Sequence, residues 1–496
     1  MVVSGTQITQ TQIESYLFQA ANILRGPVDA SDFKTYIFPL LFFKRLCDIY
    51  DEEIRIAVSD HDEAFEEDHR YRIPEGCHWA DIRRVSVNIG TRLQHALKQI
   101  EFANPVLKGI FGDAAWGNKE RLPDSLLKDL IEHFSSENLS RSRVEPDILG
   151  RAYEFLIKKF ADLTNKKAGE FYTPRSVVAL MIDILDPQST DTVYDPACGT
   201  GGMLIEAIHH VQEAGQDVRN LYDRLYGQEK NLTTSGIARM NLLIHEVEDF
   251  HVVRGDTLRQ PAFYFRDHVL QFDCVVANPP FSLEDWGGEV WKSDPYQRAF
   301  AGLPPNKNGD YAWVQHMLMS MAPVRGRMAV VLPHGVLFRS TAGEAKIRRR
   351  IVEQDQLEAV IGLGPNLFYG AGLSACVLIF RARKAPERQG RVLMIDGSRL
   401  FRKGRNQNTL EPEHRQQILA WYRVGEDVQG AVKTVTLAEI AANDWNLSIP
   451  LYVEPVIEEE TISVEEVLHN LKSALDAAYA AEDRLAALLK QAGLTE

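Results

Sequence analysis

The sequence predicts an α/β protein with a mostly parallel sheet, a helical region before it and a long helix after it. Three observations predict this. From about residue 166, short apolar runs alternate with helical stretches, which is the texture of βαβ units. Before residue 165 the apolar residues recur at helical spacing, as in Phe33, Ile37, Leu40 and Leu41. Near the end, Val464, Leu468, Leu471, Leu475, Ala478, Leu485 and Leu489 follow a heptad-like pattern that Glu482 interrupts. These changes of texture divide the chain into regions 1–165, 166–454 and 455–496.

In the first region, LRGPVDASDFKTYIFPLLFFKRLCDIYDEE offers Asp29, Ser31 and Asp32 as helix caps. Pro39 marks a kink or a boundary of the helix that follows. DILGRAYEFLIKKFADL, Asp147 to Leu163, reads as another amphipathic helix. In the second region the strand ends are DTVYDPACGTGG, RLYGQEKN, FHVVRGDTL, FDCVVANPPF, GRMAVVLPHGVLF, LEAVIGLG and SACVLIF. The last two leave no room for a crossover helix, so they predict an antiparallel pair at that edge. In the third region Ser463 and Glu466 form a capping box. Its apolar seam fits either a helix packed on its own domain or a docking helix for another subunit.

Bulk properties bound the function. At 496 residues the chain needs more than one ordinary core. Its 45% hydrophobic and 25% charged residues are those of a globular protein. No apolar run approaches the roughly 20 residues of a membrane helix, and the first residues carry no signal-peptide pattern. The five cysteines are scattered without a CxxC pair, which predicts neither disulfides nor a zinc cage and places the chain in a reducing cytoplasm. A net charge of −14 argues against wrapping nucleic acid with the whole surface. Local basic stretches, KIRRR and RLFRKGR, could still touch phosphate.

The strand ends carry the chemistry. VYDPACGTGGML has the form strand, acid, glycine turn, helix, and Gly199, Gly201 and Gly202, on either side of Thr200, let a ligand approach backbone and helix N-terminus. It is neither a GxGxxG fingerprint nor a Walker A loop. Asp195 suits a cofactor bearing positive charge, such as the amino group of S-adenosylmethionine. Glu229, after the next strand, can accept from ribose hydroxyls, and Asp256, after the third, from an adenine amino group. At the fourth strand end Asn278, Pro279, Pro280 and Phe281 make a rigid loop, because the two prolines stop the strand and constrain the residue before them. Ligands of open α/β sheets bind outside such carboxyl ends.

DPACGTGG followed by NPPF resembles the amino-group DNA methyltransferases that use S-adenosylmethionine. With LRGPVDASDF, DILGRAYEFLI, KKAGEFYTPRSVV, GQEKN, NGDYAWVQHML and EIAANDWNLSIPLYV, nearly the whole chain resembles the modification subunits of type I restriction-modification systems. The resemblance implies a Rossmann-like methyltransferase fold. It also implies that Glu170, Phe171, Tyr172, Thr173, Pro174 and Arg175 line the cofactor's methionine end. Asn278 and the Pro279 carbonyl would accept the hydrogens of an exocyclic amine, while Phe281 stacks on a flipped base. Methyl transfer is an in-line displacement that needs no metal. Asn at the first position of the motif favours adenine N6; cytosine N4 enzymes more often place Ser there. Release-factor glutamine methyltransferases share an NPP-aromatic loop but are shorter and lack the other stretches. The family supplies target recognition through a separate specificity subunit bound by two modification subunits, and translocation and cleavage through a restriction subunit. A non-catalytic scaffold would have lost these acids, and a stand-alone methyltransferase would carry a basic recognition region.

Overall fold

The computed structural model describes residues 7–61, 65, 68–164, 173–247, 249–368, 374–405, 407–454 and 464–492, without the side chains of 61, 147, 161–164, 342, 464 and 466. The chain divides into two compact units, 1–454 and 455–496.

Among the described residues, eleven strands lie in the first unit. They are β1 (Val193–Asp195), β2 (Leu225–Glu229), β3 (His251–Arg254), β4 (Tyr264–Phe265), β5 (His268–Val269), β6 (Cys274–Ala277), β7 (Arg327–Pro333), β8 (Leu357–Gly362), β9 (Ala375–Arg381), β10 (Arg391–Asp396) and β11 (Val432–Thr436). β4 and β5 form a separate hairpin; the other nine make one sheet in the order β11-β10-β8-β9-β7-β6-β1-β2-β3. β1 pairs in parallel with both β2 and β6. The chain thus leaves β1 to one side for β2 and β3, then returns to its other side for β6 and β7. This reversal opens a crevice at the carboxyl ends of β1 and β6.

β9 runs antiparallel between β7 and β8, the direction that the short link between the last two apolar runs predicts, but the pair lies inside the sheet and not at its edge. Two strands lie beyond them that the sequence reading did not separate from loop: β10, parallel to β8, and β11, antiparallel to β10 at the edge. β11 is short, and only Val432 and Val435 are buried in it, so its apolar signal is weak.

The sheet is covered on both faces. Val193, Cys274, Val276, Ala329 and Val331 face one core with the helices Arg175–Leu185 and Gly202–Glu213. Tyr194, Val275, Ala277, Met328 and Val330 face the other, with the helices Asp310–Met319 and Glu344–Glu353. Residues one apart therefore alternate between two buried faces, which is why the strands read as continuous apolar runs.

The helices Gln10–Leu24, Phe33–His61, Ile89–Ala103, Asp124–Phe134 and Pro146–Thr164 surround a third core. It also takes in Ile237, Met240, Leu243 and Ile244 from the helix Leu232–Ile244, whose Leu242 faces the sheet core. That helix is apolar on two sides and joins the helical region to the sheet. Gly236 permits the contact, since a Cβ there would lie 2.6 Å from the Ile110 carbonyl oxygen.

Pro39 sits inside the helix Phe33–His61 and does not end it. Asp29 makes no side-chain capping bond before the turn Ala30–Asp32. Asp32 pairs instead with Arg121, a partner 89 residues away that local reading could not supply. In the second unit the helix Val464–Gln491 leaves Leu468, Leu471, Leu475 and Leu485 exposed. The expected capping box falls on Ser463 and the Glu466 side chain, outside the described residues.

Candidate active site

The turn after β1 opens the helix Gly202–Glu213 with two left-handed glycines, Gly199 (φ +53°) and Gly201 (φ +83°). Only glycine takes those angles without strain, so its backbone reverses tightly beneath the helix N-terminus. Asp195, 2% exposed, accepts from the Ala197 amide at 3.0 Å. Burial, and then the neighbouring Glu229 charge, push its carboxyl up to about 8. Glu229 accepts from the amides of Asn231 at 2.7 Å and Gly199 at 3.1 Å, stapling the glycine turn to the end of β2. Burial raises its carboxyl above the ordinary range, while Lys34 of the helical region acts to lower it.

Asp256 follows β3, 2.9 Å from Lys230 Nζ, and accepts from the Arg259 amide at 3.2 Å. Glu229, Lys230, Asp256, Asn278, Pro280 and Trp313 line an outer cavity of about 600 Å³. An inner cavity is lined by Glu154, Thr173, Arg175, Asp195, Thr200, Asn241 and Asn278. Ala197 and Asn278 belong to both, so Asn278 stands where the two cavities meet.

Asn278 follows β6 and donates through Nδ2 to Thr173 Oγ1 at 2.9 Å, while its Oδ1 is buried without a donor. Pro279 is buried and Pro280 half-buried. Phe281 is half-buried and meets Phe368 edge-on, with ring centroids 5.8 Å apart. Ser282 then takes a left-handed φ of +49°, and its amide donates to Asp310 Oδ1 at 2.8 Å. Asp310, fully buried, also pairs with Arg339, which in turn pairs with Glu344. The loop after β6 is thereby fixed at both ends, by Thr173 and by Asp310.

The structure brings Thr173, Arg175, Asp195, Thr200, Gly202, Glu229, Asp256, Asn278 and Pro280 to the two cavities. Pro174 and Gly201 are N-caps of the helices Arg175–Leu185 and Gly202–Glu213. Glu170, Phe171 and Tyr172 lie outside the described residues. Sequence reasoning missed Glu154, Asn241, Asp310 and Trp313, all on helices and spaced like ordinary helical polar or aromatic residues. The signals available were the stretches DILGRAYEFLI and NGDYAWVQHML, in which Glu154, Asp310 and Trp313 stand.

A sheet that switches direction at β1, an acid-lined cleft at its carboxyl ends and a reversed β9 form the fold of S-adenosylmethionine-dependent methyltransferases. Residues 144–461 match the N-6 DNA methylase family model, and residues 13–134 match the HsdM N-terminal domain. The type I restriction enzyme MjaVII methylase subunit of Methanocaldococcus jannaschii is 32% identical over 502 residues, covering 95% of this chain and 82% of that one. The HindI methylase subunit of Haemophilus influenzae is 30% identical, covering 84% and 98%. A type I restriction-modification methyltransferase subunit from Streptococcus thermophilus superposes with a TM-score of 0.78 at 29% identity, covering 90% of this chain and 100% of that one. The chain therefore belongs to the N-6 DNA methylase family, among the methylase subunits of type I restriction enzymes. It is an adenine-specific DNA methyltransferase whose cofactor is S-adenosylmethionine. The residues present fit that cofactor: carboxylates line both cavities, and buried oxygens in the inner cavity are without the hydrogen-bond donors such a group carries.

Proposed function

We propose that this chain methylates adenine N6 in a duplex by holding a flipped-out base against the loop after β6, with target choice delegated to a specificity subunit. The observation that carries the reading is the buried, donor-free Oδ1 of Asn278 at the junction of the two cavities. A buried acceptor without a donor costs about 1–3 kcal/mol, so the site gains when an amine supplies one. Asn278 Oδ1 and the Pro279 carbonyl oxygen take the two amine hydrogens and draw the nitrogen lone pair out of conjugation. With S-adenosylmethionine bound, that lone pair would be placed to take the methyl group as the sulfur–methyl electron pair returned to sulfur, and the methylated amine would release its extra proton to solvent. Phe281 stacks on the base, a contact worth about 1–3 kcal/mol by analogy with single-strand binding.

Glu229 takes the ribose hydroxyls and Asp256 the adenine amino group, consistent with their shared outer cavity. Thr173, Pro174, Arg175, Asp195 and the turn Thr200–Gly202 surround the methionine end, together with Glu170, Phe171 and Tyr172. Asp195 supplies the carboxylate that faces the cofactor's positive charge. Residues 1–165 act as the helical domain, 166–454 as the catalytic domain and 455–496 as a docking helix. The exposed leucines of that helix support a seam for the specificity subunit. Two copies bind one specificity subunit, and a restriction subunit supplies translocation and cleavage. Among the described residues no helix is long and apolar enough to cross a membrane, and all five cysteines are free, which supports a cytoplasmic enzyme.

Methyl transfer from labelled S-adenosylmethionine to genomic DNA, read by nucleoside analysis with and without the specificity subunit, tests this. N6-methyladenine appearing only with the partner supports delegated specificity. Product from the chain alone would remove that part, and no product under either condition would remove the role of Asn278.

A further inference from the structure

The inner cavity contains more acceptors than the described donors satisfy. Glu154 Oε2, Asn241 Oδ1 and Asn278 Oδ1 are buried without a hydrogen-bond donor, and all three residues line this one cavity. They come from different parts of the chain: the helix Pro146–Thr164, the helix Leu232–Ile244 and the loop after β6. Asn241 commits only its Nδ2, which donates to the Thr200 carbonyl at 3.1 Å. Arg175 Nη2 stands 3.0 Å from Glu154 Oε2, out of line for a hydrogen bond, and its side chain is 47% exposed. Glu154 and Arg175 are thus close in charge and unfinished in hydrogen bonding.

We propose that Glu154 and Arg175 form the receptor for the cofactor's amino-acid end, Glu154 and Asn241 taking the α-ammonium and Arg175 turning to the α-carboxylate. This rests on the cofactor placement proposed above and adds to it a group from the helical region. The chemistry matches in both sign and count. An α-amino acid is a zwitterion, so exchanging one internal ion pair for two adds no net charge from the amino-acid end, which limits the cost of burying it. A buried ammonium needs three acceptors. Asp195 already accepts from Ala197 and does not meet that need alone. Because Glu154 lies on a helix of the third core, the cofactor pocket is complete only when the helical region is packed on the sheet. Cofactor binding and that packing are therefore linked.

The test is calorimetric binding to the full chain of S-adenosylmethionine and of 5′-methylthioadenosine, which lacks the amino-acid end. Glu154→Gln keeps the shape and removes the charge. The expected result is a loss of about 10–100-fold in affinity for S-adenosylmethionine, the scale of one charged hydrogen bond, with methylthioadenosine affinity unchanged within about twofold. Equal losses for both ligands, or none for either, overturn the proposal. Should Glu154→Gln fail to fold, Arg175→Gln at the half-exposed partner carries the same comparison, and the same results support or overturn it. A wild-type chain that binds methylthioadenosine but not S-adenosylmethionine overturns the receptor alone. One that binds neither removes the cofactor placement itself.

Discussion

Thr173 Oγ1 accepts the Asn278 Nδ2 hydrogen at 2.9 Å, and this single bond decides that the amide oxygen, not the nitrogen, is left without a partner. Thr173 precedes the helix Arg175–Leu185 and lines the inner cavity, so the segment proposed to hold the methionine end also orients the amide proposed to receive the amine. Thr173→Ala removes the orienting acceptor. We expect kcat to fall about 2–10-fold, the value of one neutral hydrogen bond, beyond any loss of cofactor affinity at the cavity wall. Asn278→Ala should cost about 10²–10³-fold in kcat, as when a donor or acceptor aimed at the reacting group is removed. Single-turnover methylation beside calorimetric cofactor binding separates the two quantities.

Asp195 predicts a pH dependence. Its folded-state carboxyl titrates near 8, whereas in the unfolded chain it titrates near about 4. Between those values the folded chain holds the extra proton, so this group's contribution to stability falls as pH rises from 4 to 8. Asp195→Asn should flatten the decline in melting temperature between pH 5 and 8 while weakening cofactor binding. In the wild type, affinity for the cationic cofactor should rise with pH up to about 8. Thermal unfolding and calorimetry at pH 5, 6.5 and 8 check both signs.

Asp310 braces the other end of the reactive loop through Ser282 and neutralises Arg339. Asp310→Ala leaves the Ser282 amide without its acceptor and the Arg339 guanidinium with Glu344 alone. Removing one partner of a buried pair typically costs about 3–5 kcal/mol, which would appear as a lower unfolding midpoint in denaturant. Asp310→Asn keeps an acceptor for Ser282 and should lose less.

Phe281 should matter to the base and not to the cofactor. Phe281→Ala is expected to lose about 1–3 kcal/mol of transition-state stabilisation, and Phe281→Trp to restore much of it. With the specificity subunit and DNA carrying 2-aminopurine at the target position, the fluorescence rise on base extrusion should shrink in the alanine variant. Cofactor affinity should stay the same.

The helix Val464–Gln491 offers Leu468, Leu471, Leu475 and Leu485 to solvent in its own unit. Charges at Leu471 and Leu475 should abolish co-purification with the specificity subunit. They should leave the melting temperature of the isolated chain within about 1 °C, because neither side chain is buried. A large loss of stability would assign the leucines to packing within the chain instead.

The amino-acid sequence by itself determined the order of the strands' carboxyl ends and what stands at each. Asp195, Glu229, Asp256 and the loop Asn278–Phe281 are legible because each stands at or just beyond the carboxyl end of a short strand, where glycine, acid or proline punctuates the chain locally, although β3 itself is not buried. The antiparallel direction of β9 was legible for the same kind of reason, the short stretch of sequence between it and β8. β11 was not, since two buried valines make no apolar run. Tertiary structure alone decided the rest of the site. Glu154, Asn241 and Asp310 look on their helices like ordinary polar residues, and their meaning comes from partners far away in the chain. Asp310 meets Ser282 at a separation of 28 residues, Asn241 meets Thr200 at 41, and Asn278 meets Thr173 at 105. The chain's local grammar writes the ends of strands, but which side chains share a cavity, and which buried oxygen is left without a donor, is settled only when the core packs.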